Sequence, residues 1–534
     1  LFRSREYVLM AHLEQLISRR VLGVRHGSLT LPRWSEAAAW LSLPAILGVG
    51  AFLRIWRINA VGFNSDEAVY AGQAASIASD PELLELFPIF RAHPLLFQSI
   101  LSLGFPFGAG DLFARLVSAA IGIATIYMVF RLADLLYGRK AALLAALFMA
   151  LMPYHIVVTR QVLLDGPMVF FATLTLYLLA RFVTTGRPAW LYATGASMGL
   201  AFLAKEPAIL FLAAIYAFFA LSPEIRLRMK DLAISAAAMV LVIAPFPLSL
   251  FLAGKTETGG QFILWQIFRR PNHEWDFYPT TVPEVIGPMI ILAAIAGLWL
   301  LRRERSWRET LLLTWIVVPV VFFQLWPVKG FQYLLPVAPV IAVLAARTFG
   351  RWSPDTAVRI LRRRVSGALL VSLAAGIVAL TLIIPSWQRL QPPTDDSFLA
   401  GAGGVPGGRE AGEWIEENTP EGAQLMTIGP SMANILQFYG HRRAFGLSVS
   451  SNPLNRNPSY EPIPNPDLMI RHNELQYIVW DSFSASRSSF FSDKVILYAD
   501  RYNGRVVHTE TITVTTPGGD KAEKPVIVIY EVRP

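Results

Sequence analysis

The sequence predicts a polytopic α-helical membrane protein, with about eleven transmembrane helices, that carries a soluble α/β domain at its C-terminal end. Three observations predict it. Of the 534 residues, 54% are hydrophobic and only 16% are charged, whereas soluble globular chains carry about 25% charged residues. The apolar residues gather into stretches long enough to cross a bilayer, which takes roughly 20 per helix. After Pro385 the composition changes abruptly, and helix and strand signals alternate as in a small α/β domain.

Spans are predicted at 38–57, 112–130, 141–158, 166–182, 189–204, 207–221, 232–252, 283–301, 309–326, 331–349 and 366–385. The apolar stretch 93–107 is short and interrupted by His93, Pro94, Gly104 and Pro106, so it is expected to lie as a helix near the outer interface. The first 37 residues are polar and broken by Arg3, Arg5, Arg19, Arg20, Arg25 and Arg33. That is the wrong pattern for a cleavable signal peptide, and the first span is expected to serve as an uncleaved anchor.

Lys and Arg favour cytoplasmic loops. One alternate set of segments holds the N-terminal arginines, Arg131/Arg139/Lys140, Arg181/Arg187, Arg226/Arg228/Lys230, Arg302/Arg303/Arg305/Arg308 and the run from Arg347 to Arg364. The opposite short loops hold Arg91, Arg160, Lys205, Lys255, Arg269, Arg270 and Lys329. This bias predicts a multi-pass protein of the cell membrane with a cytoplasmic N-terminus and an extracytoplasmic C-terminal domain. The expected organisation is a cytoplasmic segment 1–37, a membrane domain 38–388 with outer loops 58–111 and 253–282, a linker 389–408 and an outer α/β domain 409–534.

In that last domain, helices are expected at 409–418, 431–439 and 466–473, with strands at 424–429, 476–481, 505–513 and 525–532. Gly401 to Gly408 reads as a flexible connector. Gly429-Pro430-Ser431 follows a strand but lacks a glycine-rich phosphate fingerprint, so nucleotide binding has little support. The net charge of +9 sits mostly in short loops between spans, so topology explains it without a nucleic-acid partner. With no cysteine in the chain, disulfides, thiolate catalysis and cysteine metal sites are excluded.

The residues able to carry chemistry collect on the outer face. Asp66 and Glu67 follow the first span within a few residues; a carboxylate there can take a proton from an acceptor hydroxyl, and the plainer reading is two solvated loop acids. Asp165 sits in the tight outer turn Arg160-Gln161-Val162-Leu163-Leu164-Asp165-Gly166-Pro167, where capping of the next helix is the default role. Arg160, Lys205 beside Glu206, and Lys329 ahead of Tyr333 could together hold an anionic leaving group, or singly anchor to lipid headgroups. His93 is a candidate for binding phosphate or metal. In the second outer loop, Trp265, Trp275 and Tyr278 read first as interfacial anchors and second as substrate contacts.

Taken in order, these positions resemble the GT-C class of glycosyltransferases, in particular the superfamily of protein O-mannosyltransferases and aminoarabinose transferases (ArnT-like). The resemblance covers roughly residues 38–350. It rests on Asp66-Glu67 followed by Tyr70, His93-Pro94-Leu95, Ala114-Arg115-Leu116, Tyr137-Gly138-Arg139, Arg160 to Asp165, Lys205-Glu206-Pro207, and Lys329 to Pro336. It implies transfer of a sugar, hexose or pentose, from a polyprenyl-phosphate carrier to a protein, lipid or glycan acceptor at the outer face, usually with inversion. By motif, Asp66 would be the general base, Glu67 its acidic neighbour and Asp165 a second acid. Arg160, Lys205 and Lys329 would face the carrier phosphate, with Tyr70, His93, Glu206 and Tyr333 also lining the substrate site. Members of the superfamily differ in needing a divalent metal; Mg or Mn would suit the oxygens of Asp66 and Asp165.

The chain departs from the family pattern at Glu206, where Gly is frequent, and at His93-Pro94-Leu95, where a double proline is frequent. The C-terminal domain resembles the outer domains of some relatives, with acceptor or partner recognition as its implied role. Two other readings are a non-catalytic scaffold subunit with the same fold, and a secondary transporter. A transporter would place ionisable groups near the bilayer midplane, where these spans have essentially none.

Overall fold

A computed structural model of the chain describes residues 34–90, 93–108, 110–269, 271–350, 357–360, 363–391, 404–515 and 520–534. The N-terminal segment through residue 33, most of the 389–408 linker, Arg91 and Arg270 lie outside the described residues. The chain divides into two units, 1–45 and 46–534. Among the described residues the first holds only the opening of helix α1 (Trp34–Ile55), and the cavity and sheet domain belong to the second.

Every predicted span falls on a helix. Six helices among the described residues are long and apolar enough to cross a membrane, and two bent pairs raise the number to eight if each crosses as one span. The length criterion therefore gives six to eight where the sequence suggested eleven. The other three predicted spans coincide with α1, with Pro188–Ala204 and with Glu206–Ala220. Pro188–Ala204 has 17 residues, about 26 Å of helix at roughly 1.5 Å per residue, a little less than a hydrocarbon core of about 30 Å.

Both bends have local causes. Arg139–Leu151 and Pro153–Thr159 meet at 61° where Pro153 opens the second helix, and Phe277–Ile286 meets Pro288–Leu300 at 97° across Gly287, whose φ of 109° favours glycine. The bundle packs on small residues. Ala141, Ala142, Ala145 and Ala146 are buried against the equally alanine-rich Ala338–Gly350, which lets backbones approach closely. Gly195 is a tighter case, since a Cβ there would lie 2.0 Å from the Ser235 carbonyl oxygen. On the rim, Met229–Leu252 exposes Val240, Leu241, Leu248 and Phe251, a continuous apolar face suited to lipid.

The segment expected as the first outer loop forms helix α2 (Ser65–Ile77), whose inner face of Ala68, Ala71, Gly72, Ala74 and Ala75 is buried. The stretch expected as one interfacial helix is two short pieces, Leu96–Ser102 and Phe105–Phe107, with Leu103 and Phe107 exposed. Helix α3 (Asp111–Tyr137) then enters the bundle. A short antiparallel pair, β1 (Ala357–Ile360) with β2 (Arg363–Ser366), precedes the last long helix, Gly367–Leu390.

The C-terminal domain is a five-stranded mixed sheet of β3 (Gln424–Thr427), β4 (Arg443–Gly446), β5 (Tyr477–Asp481), β6 (Arg505–Thr515) and β7 (Lys521–Glu531) in the order β4-β3-β5-β7-β6. β3 runs parallel to β4 and β5, and β7 runs antiparallel to β5 and β6. Strand alternation splits the core into two layers. Leu425, Val479, Ile527 and Ile529 pack with Ala411, Ile415, Ile435 and Leu436 of Gly408–Asn418 and Pro430–Gly440. On the other face Met426, Ile428 and Ile478 pack with Ile470, Val495 and Ala499. The predicted helices and all four predicted strands are present; β4 and the helices Ser482–Arg487 and Ser489–Arg501 are additional.

The described end of the connector is held closely. Gly404 (φ 84°) and Gly407 (φ 76°) are left-handed, and a Cβ on Gly404 would collide with the Gly62 carbonyl. Glycine serves close approach there, in place of the flexibility expected of it.

Candidate active site

The site begins with the cap of α2. Asn64 Oδ1 accepts from the backbone N–H groups of Asp66 and Glu67 at 2.9 and 3.0 Å, and the Glu67 carboxylate accepts from Asn64 N at 3.0 Å, a reciprocal capping box. Glu67 also takes Arg115 Nε and Nη2, each at 2.8 Å, and Val162 N at 3.0 Å. Arg115 spends its remaining donors on the carbonyls of Ile58, Val61 and Gly62. Glu67 is 0% exposed and Arg115 1%. The reading of Glu67 as a solvated loop acid is thereby corrected: it is buried, and its two oxygens accept from four N–H groups, of Arg115, Val162 and Asn64.

Asp66 differs. One position away on the helix, it is exposed and lines the large cavity. Protein surrounds that cavity densely, and the loss of bulk water raises the Asp66 pKa; Lys205 and His93 oppose the rise, while Asp165 and Glu67 add to it.

Asp165 stands in the first turn of Asp165–Thr185 but does not cap it: both of its oxygens accept from Lys205 Nζ, at 2.9 and 2.8 Å. The pair is buried, and Lys205 also lies 5.7 Å from the Tyr333 ring centre. Lys205 thus arrives at the cavity already neutralised. Arg160, expected near the carrier phosphate, instead donates to the Leu53 and Arg54 carbonyls at 3.0 Å and fastens the end of α1. It does not line the cavity.

The departure at Glu206 has a partner in this chain. Both of its carboxylate oxygens lie within 3.0 Å of His93 Nδ1, and the His93 ring meets Tyr70 and Phe262 edge-on. Across the cavity, Asn272 grips the backbone of Lys329 through both N–H and C=O at 2.8 Å, while Lys329 Nζ donates to the Trp326 carbonyl. Tyr333 stacks on Phe323.

One cavity of about 920 Å³ unites Asp66, Tyr70, His93, Lys205, Lys329 and Tyr333; Glu67, Asp165, Arg160 and Glu206 support it from behind or beside. Trp265 lines it too, so this residue is more than an interfacial anchor, whereas Tyr278 is buried and bonds Gly330. Sequence reasoning missed Tyr154, Arg389 and the contribution of the C-terminal domain, which supplies Ser448, Arg456, Tyr460 and Arg487. No sequence pattern marks these last four, because three come from loops and Arg487 from the end of the short helix Ser482–Arg487, and they meet the cavity only through the tertiary fold. Among the described residues, Arg269, Lys329, Arg456 and Arg487 form no ion pair. Asp66 is therefore a carboxylate in a cavity with cationic walls.

A helical membrane bundle that presents an acid to a cavity lined in part by a C-terminal sheet domain has the architecture of GT-C glycosyltransferases of known structure. Residues 92–250 match the family model described as dolichyl-phosphate-mannose-protein mannosyltransferase. The chain is 27% identical over 305 residues to an uncharacterized protein of Aquifex aeolicus, covering 54% of this chain and 60% of that one. It is 28% identical over 246 residues to the undecaprenyl phosphate-alpha-4-amino-4-deoxy-L-arabinose arabinosyl transferase of Serratia proteamaculans, covering 42% and 43%. The chain thus spans at most 60% of the length of these curated relatives.

Among solved structures, ArnT from Cupriavidus metallidurans bound to undecaprenyl phosphate superposes with a TM-score of 0.68 at 16% identity, covering 92% of this chain and 98% of that one. The Archaeoglobus fulgidus oligosaccharyltransferase superposes with a TM-score of 0.60 at 14% identity, covering 91% and 74%. At these identities the likeness is one of fold.

Removing one member of a buried ion pair costs about 3–5 kcal/mol. Glu67→Ala should therefore lower the melting temperature in detergent strongly. Asp66→Asn, which breaks no bond of its side chain among the described residues, should melt like the wild type.

Proposed function

We propose that the protein is a membrane glycosyltransferase that moves a sugar from a polyprenyl-phosphate donor to an acceptor at the extracytoplasmic face, with Asp66 as general base. The observation that carries this reading is the Asp66 carboxylate, which has no ion-pair partner among the described residues, in a cavity whose other acid, Glu284, is paired with Arg389 and whose Arg269, Lys329, Arg456 and Arg487 form no ion pair among those residues. In the reaction, an Asp66 oxygen takes the proton of the acceptor hydroxyl as that oxygen attacks the anomeric carbon. The bond from that carbon to the phosphate oxygen breaks, and the phosphate leaves with the electron pair. Lys329 and Arg269 are placed to balance its charge, and Tyr70, His93 and Tyr333 to hold the sugar and carrier. Inversion follows if attack and departure occur on opposite faces.

The family model and the name of the Serratia relative both refer to polyprenyl-linked sugars, in keeping with this donor class. The charge bias of the loops supports an outward cavity, and the sugar transferred is a hexose or pentose. The pair Asp66 and Asp165 does not offer a two-carboxylate site to a divalent ion, because the Lys205 ammonium occupies both Asp165 oxygens and already supplies the positive charge that acts on Asp66. The transfer reads as metal-independent on that ground.

The test is transfer by the purified protein in lipid nanodiscs from a panel of undecaprenyl-phosphate hexoses and pentoses to a membrane extract. Asp66→Asn should lose at least about a hundredfold in turnover, the usual worth of a general base; undiminished turnover would sink the assignment. The base works deprotonated and its pKa is raised. Activity should thus be present at high pH and fall on acidification at a higher pH than an ordinary aspartate, near 3.9, would give. Turnover should also survive EDTA, and loss restored by Mg or Mn would overturn the metal-free reading.

A further inference from the structure

We infer that the C-terminal domain is part of the catalytic unit, with Tyr439 as the positioning residue that fixes the backbone presenting Asp66. The inference rests on Asp66 being the base. Tyr439 ends the helix Pro430–Gly440, and its hydroxyl accepts from Phe63 N at 2.8 Å while donating to Asp111 Oδ2 at 3.0 Å. Phe63 is three residues before Asp66. One helix turn earlier, Asn434 Nδ2 donates to Ser65 Oγ at 3.0 Å, so the same helix holds both flanks of the Asn64 cap.

A second element braces the same strip. Arg409 donates to Asp111 Oδ2 and, at 3.0 Å, to Asn59 Oδ1, and Asn59 Nδ2 donates to Asp111 Oδ1. Gly62 packs directly on Arg409, where a Cβ would lie 2.8 Å from the arginine's own. From below, Arg115 holds the carbonyls of Val61 and Gly62. Residues 59–65 are therefore gripped between the bundle and the sheet domain, and the orientation of Asp66 is set by both. Among the described residues, the acceptor of Phe63 N is the Tyr439 hydroxyl.

The sheet domain is thus more than a cover for the cavity. A displacement of the 59–65 strip would swing the Asp66 carboxylate away from the attacking oxygen, and misplacement of about 1 Å can cost a hundredfold in rate. Donor binding, carried by other walls, would be spared.

The experiment uses the full chain in nanodiscs with Tyr439→Phe, which keeps the ring packed between Phe63 and Phe438 and removes only the hydroxyl. With the undecaprenyl-phosphate sugar that the wild type turns over, kcat should fall about tenfold while the donor KM stays within about twofold. Hydrogen exchange should quicken at amides 60–66, with the rest of the sheet domain unchanged. Asn434→Ala should do the same more weakly and carries the test if Tyr439→Phe fails to fold. Unchanged exchange at 60–66, faster exchange throughout the domain, or a raised KM with intact kcat would each overturn the inference. If the wild type turns over no donor, the functional reading fails, and the exchange measurement still decides whether Tyr439 holds the strip.

Discussion

The end of the bundle that carries the cavity is organised by the buried ion pair between Glu67 and Arg115. Two charges removed from water are costly, and they persist only where nearly every donor and acceptor is matched. Here the matching is full: Glu67 takes bonds from Arg115, Val162 N and Asn64 N, and Arg115 reaches the carbonyls of 58, 61 and 62. The pair therefore joins the end of α1, the start of α2, the shaft of α3 and the turn before Asp165. Asp66 is left as the acid with no structural duty. Adjacent carboxylates acquire opposite roles because one helix step, about 100°, turns one inward and the other toward the cavity.

The same logic separates the cations. Lys205 and Arg115 are committed to acids and fix the frame, and Arg160 is committed to carbonyls. Arg269 and Lys329 lean on tryptophan rings and a carbonyl, contacts that orient a charge without cancelling it. The wall available to an anion is therefore drawn from the second outer loop, the segment before Phe331–Val337 and the sheet domain. The bundle itself contributes mainly the buried pairs that keep the cavity's shape.

Much of this was legible in the sequence. Span positions follow from runs of apolar residues, and the sheet domain from alternation that begins where those runs stop. Asp66 was legible as a candidate through the ordered motifs of the family resemblance, since position alone favoured a solvated loop acid; the structure adds that it lines the cavity. The partnerships were not. Glu67 with Arg115, Lys205 with Asp165, and His93 with Glu206 are separated by 48, 40 and 113 residues, and no local periodicity reports a contact at that range. Asp165 looked like a cap because position alone favours one; the lysine that claims it is visible only in three dimensions. β4 escaped because four residues, Arg-Ala-Phe-Gly, carry too little alternation to be read as a strand.

The contact between Gly62 and the Gly404–Arg409 segment has a topological consequence. Two stretches of chain that touch outside a bilayer lie on one side of it, so the polypeptide between residues 62 and 404 must cross an even number of times. Six, eight and ten crossings satisfy that parity, and seven or nine do not. With both bent pairs crossing as one span each, the two shorter helices, Pro188–Ala204 and Glu206–Ala220, traverse together or stay out together. Parity binds them as a hairpin, whatever the thickness of the membrane around them.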